Sequence, residues 1–169
     1  GCVVAPQVKA QRSERGSVST SDLSGSVVVA RDVGWAWSSW TRADQTQGFL
    51  ARAATIGEEV GEPYELYFLP GRRTSASGTR GGVILTFEPQ TTLAFTWTPA
   101  PGFDLHGVET SVHVTFTRLG PLRTRVSVSH SGFYDGARFD AMRAYYAAFW
   151  SETLARFWHY AGGRTTAEW

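Results

Sequence analysis

The sequence predicts an α+β fold in which one curved antiparallel sheet wraps around a long C-terminal helix, and three observations carry that prediction. In segments 109–118 and 123–130, Val112, Val114, Phe116, Val126 and Val128 alternate with Ser111, His113, Thr115, Ser127 and Ser129. A period of two this regular means strands with one wet and one buried face, as in an antiparallel sheet. From Phe139 the period changes: Phe139, Met142, Tyr146, Phe149, Thr153 and Phe157 follow steps of three and four, and Trp150, Leu154 and Trp158 widen the stripe. That is one amphipathic helix of about 20 residues. Composition is the third observation: 7 Trp, 6 Tyr and 10 Phe make 14 % of 169 residues aromatic, against 18 % charged, which suits a packed body rather than a disordered chain.

The elements follow in order. Residues 1–25 are polar and Ser-rich and read as a flexible N-terminal tail; the domain is expected over 26–162, with 163–169 as a C-terminal tail. Val27-Val28-Val29 is a short β-branched run and makes the first strand, from Ser26. Asp32 can accept the free N–H groups of a helix start, and Val33, Trp37 and Trp40 then share one face of a helix over 33–41. A second short helix is expected over 43–51, presenting Phe49 and Leu50 and weakened by Gly48 at about 1 kcal/mol. Strands over 53–58, 64–69, 82–87 and 92–98 are separated by turn residues: Gly61-Glu62-Pro63, Pro70-Gly71 and Glu88-Pro89-Gln90. Segments 72–80 and 99–106 read as loops, Gly120-Pro121 as a hairpin turn, and Gly162-Gly163 as the stop of the last helix. A sheet with one apolar face must cover it, and the last helix is the only element large enough. A sheet that grips a helix in this way leaves space between the two, and that space is the candidate site.

Charge and cysteine content bound the function. Lys+Arg 16 against Asp+Glu 15 gives a net charge of +1, too balanced for capture of nucleic acid or an acidic membrane. Cys2 is the single cysteine, so an intrachain disulfide framework and a cysteine-based structural zinc site are excluded. No apolar run reaches the roughly 18 residues that span a bilayer, and the expected location is the cytoplasm. Gly1-Cys2 followed by a polar stretch resembles the cleavage point of a bacterial lipoprotein signal. Export or a lipid anchor through Cys2 is therefore the alternative, and the only route to a membrane.

Candidate chemistry is sparse. His106, Glu109 and His113 lie close in sequence, but His113 has the parity of the wet face, which favours exposed polar residues over a metal group. His130 shares parity with Val126 and Val128 and should point toward the helix, either as a buried hydrogen-bonding group or as a contact to a ligand. Glu65 and Glu152 have no partner readable from the sequence, and neither a Gly-x-Ser-x-Gly elbow nor a phosphate loop is present. No catalytic set, metal or cofactor is assigned. Tyr146, Phe149, Trp150 and Thr153 on the helix are expected to face Leu85, Phe95 and Trp97 on the sheet, as a dry core or as the wall of a pocket. Tyr and Trp keep polar ends that seek partners when buried, which suits a pocket wall.

In order and spacing, several segments match a known family: Trp37 to Thr41 with Phe49, the run from Gly61 to Phe68, Gly82 to Leu85 with Glu88-Pro89, Leu93 to Trp97, Thr124 to Val126 with His130 to Gly132, and Phe149-Trp150 with Leu154. The chain resembles the START-like, helix-grip superfamily, and within it the bacterial domains homologous to the activator of the heat-shock chaperone ATPase. The resemblance implies a helix-grip fold and a binder of a small hydrophobic molecule or, alternatively, of a chaperone in a stress response. It brings no invariant catalytic residues. The favoured reading is a non-enzymatic binding module that encloses a small hydrophobic or aromatic molecule. A chaperone-directed interaction domain and a polyketide-cyclase-like enzyme, for which His130 is the one candidate residue, are the alternatives.

Overall fold

The computed structural model describes residues 7–12, 21–68, 79, 81–98 and 108–163. His106, Cys2 and most of the two expected loops lie outside them. The alternating segments become the two longest strands, β7 (Thr110–Gly120) and β8 (Arg123–Ser131), joined by a tight turn. They lie in a six-stranded antiparallel sheet of order β1-β2-β8-β7-β6-β5, with β1 Lys9–Arg12, β2 Ser21–Val29, β5 Ile84–Glu88 and β6 Thr92–Trp97. Its inner face carries Val112, Val114, Phe116, Val126, Val128 and His130, all buried; Ser111, His113, Thr115, Ser127 and Ser129 point the other way.

The first strand differs from the sequence reading. It begins at Ser21 rather than Ser26, and β1 pairs along its outer edge with Lys9 opposite Ser24. Backbone pairing needs no apolar side chains, so a polar, Ser-rich segment can extend a sheet without any period-two signature. Two residues tie it to the core. Leu23 is buried opposite His130, and at Gly25 a Cβ would come within 2.9 Å of Val8 Cγ2 and 3.3 Å of Leu154 Cδ1, so the glycine lets those side chains close over the strand without shifting.

α1 (Val33–Thr41) starts as expected: Asp32 Oδ1 accepts the Trp35 N–H at 2.6 Å. α2 is shorter than expected, Ala43–Thr46. The Thr46 carbonyl then accepts the N–H groups of Phe49, Leu50 and Ala51, which closes the chain into a tight turn. Gly48 lies in that turn, against the Tyr160 ring. β3 (Ala53–Ile56) and β4 (Tyr64–Tyr67) form a separate two-stranded ladder. It is hooked to β5 by Gly61 N–H to Ile84 O, Ile84 N–H to Glu62 O and Tyr64 N–H to Gly82 O.

α3 runs from Ala137 to Tyr160, 24 residues. Its predicted stripe is the buried face: Met142, Tyr146, Trp150, Thr153, Leu154, Phe157 and Trp158. The helix ends as Gly162-Gly163 requires, with Gly162 at φ +92° and the Gly163 N–H returning to Trp158 O. No helix among the described residues is long and apolar enough to cross a membrane.

Candidate functional site

Strand parity aims His130 at α3, and burial there is complete. Trp150 Nε1 donates to His130 Nδ1 at 3.0 Å. Because an indole N–H can only donate, Nδ1 is the acceptor, and the neutral ring carries its proton on Nε2. Nε2 in turn donates to Thr110 Oγ1 at 2.7 Å, and the Thr110 hydroxyl donates to the Trp97 carbonyl at 3.0 Å. One chain of hydrogen bonds thus runs from α3 through β8 and β7 to β6. Desolvation pushes the His130 pKa down to about 3. Both ring nitrogens are occupied, so the imidazole is a structural link and has no lone pair or proton to offer a substrate.

Around this link the structure brings together six of the eight residues expected in the site. The Trp97 ring lies 5.4–5.7 Å from those of Trp150, Phe149, Tyr146 and His130, and 6.3 Å from Phe95. Edge-to-face and tilted contacts of this kind hold the sheet to the helix. Thr153 is buried one turn further along α3, where its hydroxyl accepts from Arg156. Leu85 is not part of the cluster. The β5–β6 register slips between Ile84 and Thr86, Ile84 takes the inward position, and Leu85 is turned outward at 43 % exposure. Among the described residues, buried Trp97 Nε1 has no hydrogen-bond partner, and neither has Trp40 Nε1; a buried donor left unpaired costs roughly 1–3 kcal/mol.

Each of these two indoles lies one ring behind a surface groove of about 400 Å³. The groove runs between the α2–β3 turn, the end of β4 and α3, and its apolar walls are Phe49, Leu50 and Phe68. Phe49 rests on Trp40 at 5.1 Å, and half-buried Phe68 rests on Phe149 at 5.7 Å and Trp97 at 6.3 Å. Phe68 therefore separates the groove from the aromatic cluster. The rim is polar: Gln47, Arg52 and Arg156. Arg156 is held in place, its Nε donating to Phe49 O at 3.0 Å and its Nη2 to Thr153 Oγ1 at 3.1 Å.

Comparison with known proteins supplies a family. The model of the Activator of Hsp90 ATPase homolog 1-like protein family matches residues 32–162, from the cap of α1 to the end of α3. The chain belongs to this family. Curated protein sequences contain no match. Among solved structures, CalU16 from Micromonospora echinospora superposes with a TM-score of 0.66 at 15 % identity, covering 94 % of this chain and 87 % of that one. The Aha1 protein of Colwellia psychrerythraea, solved as a dimer, gives 0.63 at 13 %, covering 85 % and 98 %. An HSP90 activator from Plasmodium falciparum gives 0.63 at 12 %, covering 83 % and 96 %. At these identities the likeness is one of fold.

On this Activator of Hsp90 ATPase homolog 1-like chain the remaining candidates disperse. His113 is exposed on the outer sheet face and Glu109 is exposed ahead of β7. No group of three or more His, Cys, Asp or Glu that could hold a metal occurs among the described residues. Glu65 accepts from Tyr67 Oη and the Gly81 N–H and is committed to the β4 region; Glu152 is exposed, 3.9 Å from Arg156. Sequence reasoning missed Phe68, Phe49, Thr110 and Arg156 as parts of the site. Phe68 has the parity of Tyr64 and Leu66, which was a usable signal; nothing in the sequence pairs Arg156 with Phe49, 107 positions away. The His130 link makes a prediction here. Trp150→Phe removes the donor to Nδ1 and leaves a small cavity where the pyrrole ring was, so the fold is expected to lose roughly 2–4 kcal/mol, read as a lower urea midpoint at unchanged slope.

Proposed function

We propose that the protein is a non-enzymatic binding module for a small, largely apolar aromatic molecule, taken up between the sheet and α3 by way of the groove at Phe68. The observation that carries this reading is Trp97. Its indole N–H is buried without an acceptor among the described residues, inside a ring of aromatic side chains and one ring behind the groove wall. A ligand with an aromatic body and a carbonyl or ether oxygen would stack against these rings and satisfy that donor, which is how apolar sites with few polar groups gain orientation. Phe68, half-buried and outside the regular part of β4, is the side chain whose rotation would admit it. Occupation of both His130 nitrogens argues against a polyketide-cyclase-like enzyme, because that reading had no other acid or base.

The second reading, a chaperone-directed interaction domain, is favoured by the family model and by the fold shared with an HSP90 activator. One experiment separates the two. Titration of the protein with neutral N-phenyl-1-naphthylamine, followed by dye emission and tryptophan quenching, is expected to saturate at one molecule per chain. Phe68→Trp, which fills the passage, is expected to weaken binding at least tenfold without lowering the unfolding temperature. Absence of saturable binding together with a stable complex with a heat-shock chaperone would replace the first reading by the second.

A further inference from the structure

The rim of the groove carries more than an entrance needs. Arg52 and Arg156 both line it, and the acidic group nearest to Arg156 is Glu152, at 3.9 Å from Nη1, beyond hydrogen-bond length. Phe49 O and Thr153 Oγ1 fix the plane of the Arg156 guanidinium while its side chain stays about half exposed. The guanidinium is thereby held in a fixed plane at the groove, with Nη1 making, among the described residues, only the 3.9 Å contact to Glu152; a fixed guanidinium is the condition under which arginine binds a planar anion well. Arg52 is exposed and has no ion pair among the described residues. Phe49, Leu50 and Phe68 line the same groove. A cationic rim on an apolar-walled groove of about 400 Å³ matches a molecule of drug size with one charged end.

We propose that the groove is the head-group site for a free amphipathic anion, an aryl or alkyl carboxylate or sulfonate, whose charge is held at the rim by Arg156 and Arg52 while its apolar body passes Phe68 toward the rings around Trp97. The proposal rests on the binding reading above and adds the chemical class of the ligand. Two guanidinium contacts at a half-exposed rim give an expected preference for the anion of about tenfold or more.

The test uses the full chain and two probes that share an arylamine body and differ by a sulfonate: 1-anilinonaphthalene-8-sulfonate and N-phenyl-1-naphthylamine. Wild type is expected to bind the sulfonate at least tenfold more tightly, with the gap shrinking as salt is added. In Arg52→Gln/Arg156→Gln the two affinities should converge. Arg52→Glu, which leaves the rim with one cation and one anion, should abolish the salt dependence even if the double variant is less stable. Arg125→Gln, which removes one positive charge from the outer sheet face, should change nothing. Equal affinities in wild type, a preference surviving in the double variant, or an equal loss in Arg125→Gln would each overturn the anion assignment and leave the binding reading standing. Failure of both probes to bind would overturn the binding reading itself, and the anion site with it.

Discussion

Lowering the pH from 7 to 4 is expected to remove roughly 3 kcal/mol of stability through His130 alone. The ring is neutral and buried in the fold, with its pKa pushed down to about 3, while in the unfolded chain it titrates near the ordinary value of 6.5. Between those two values the unfolded state binds one proton more. The contribution of His130 is therefore fully present above about 6.5 and is lost as the pH falls toward 3, at about 1.4 kcal/mol per unit. Geometry gives the same sign: a protonated Nδ1 would point its hydrogen at the Trp150 N–H, donor against donor. The ring neighbours Trp97, Phe133, Tyr146 and Trp150 carry no charge in this range and cannot compensate. Asp22, whose carboxyl is raised chiefly by burial, works in the opposite direction at the acid end, and comparison with a variant cancels it. His130→Gln retains one acceptor and one donor. It should start about 2 kcal/mol below wild type at pH 7, draw level near pH 5 and lie about 1 kcal/mol above wild type at pH 4, measured by urea unfolding at each pH. Curves that stay parallel from pH 7 to 4 would show that His130 does not titrate as described.

Gly82→Ala is expected to destabilise by about 2–3 kcal/mol, an unusual cost for one methyl group on a strand end. At this position a Cβ would lie 2.4 Å from Tyr64 O, 3.1 Å from Thr96 O and 3.2 Å from Thr79 O. All three are backbone atoms that cannot rotate away, so β4 must separate from β5. That movement loosens the Tyr64 N–H to Gly82 O bond and disturbs Tyr64, which stacks on Phe95 at 3.9 Å and donates to Trp40 O at 2.6 Å. Gly34→Ala is the internal control of opposite sign. It lies in α1 with nothing nearer than 3.4 Å to its Cβ, and is expected to stabilise by up to about 1 kcal/mol through helix propensity. Thermal unfolding of the two variants side by side decides the point; a Gly82→Ala protein as stable as wild type would mean that the close approach of these strands is not required.

The parts that were legible in the sequence share a physical cause. Period two in β7 and β8 and the three-four steps in α3 are imposed by one-sided burial, and each residue reports its own side. The Asp32 cap and the Gly162-Gly163 stop are local hydrogen-bonding problems with few residue solutions. For the same reason His130 could be aimed inward from parity alone. Leu85 was misplaced because a register slip in β5 breaks the parity on which such an inference depends. The extension of β2 to Ser21 was invisible because backbone pairing leaves no mark on side-chain pattern. Six of the eight expected site residues meet around Trp97, but their arrangement as a hydrogen-bonded, ring-packed link was not readable from any one of them.

By itself, then, the sequence determined the class of fold, the inward faces of the long strands and of the last helix, and the concentration of aromatic residues where those faces meet. Only the tertiary structure decided what they do there: that Thr110 and Trp150 consume both nitrogens of His130, that Trp97 keeps an unpaired donor, and that Phe49, Phe68 and Arg156 converge on one groove. The division has a simple origin. Burial is a property of each residue and its near neighbours, and composition records it. A hydrogen bond between residues 20 or 107 positions apart depends on register and crossing geometry, which the chain settles only when all its layers pack together.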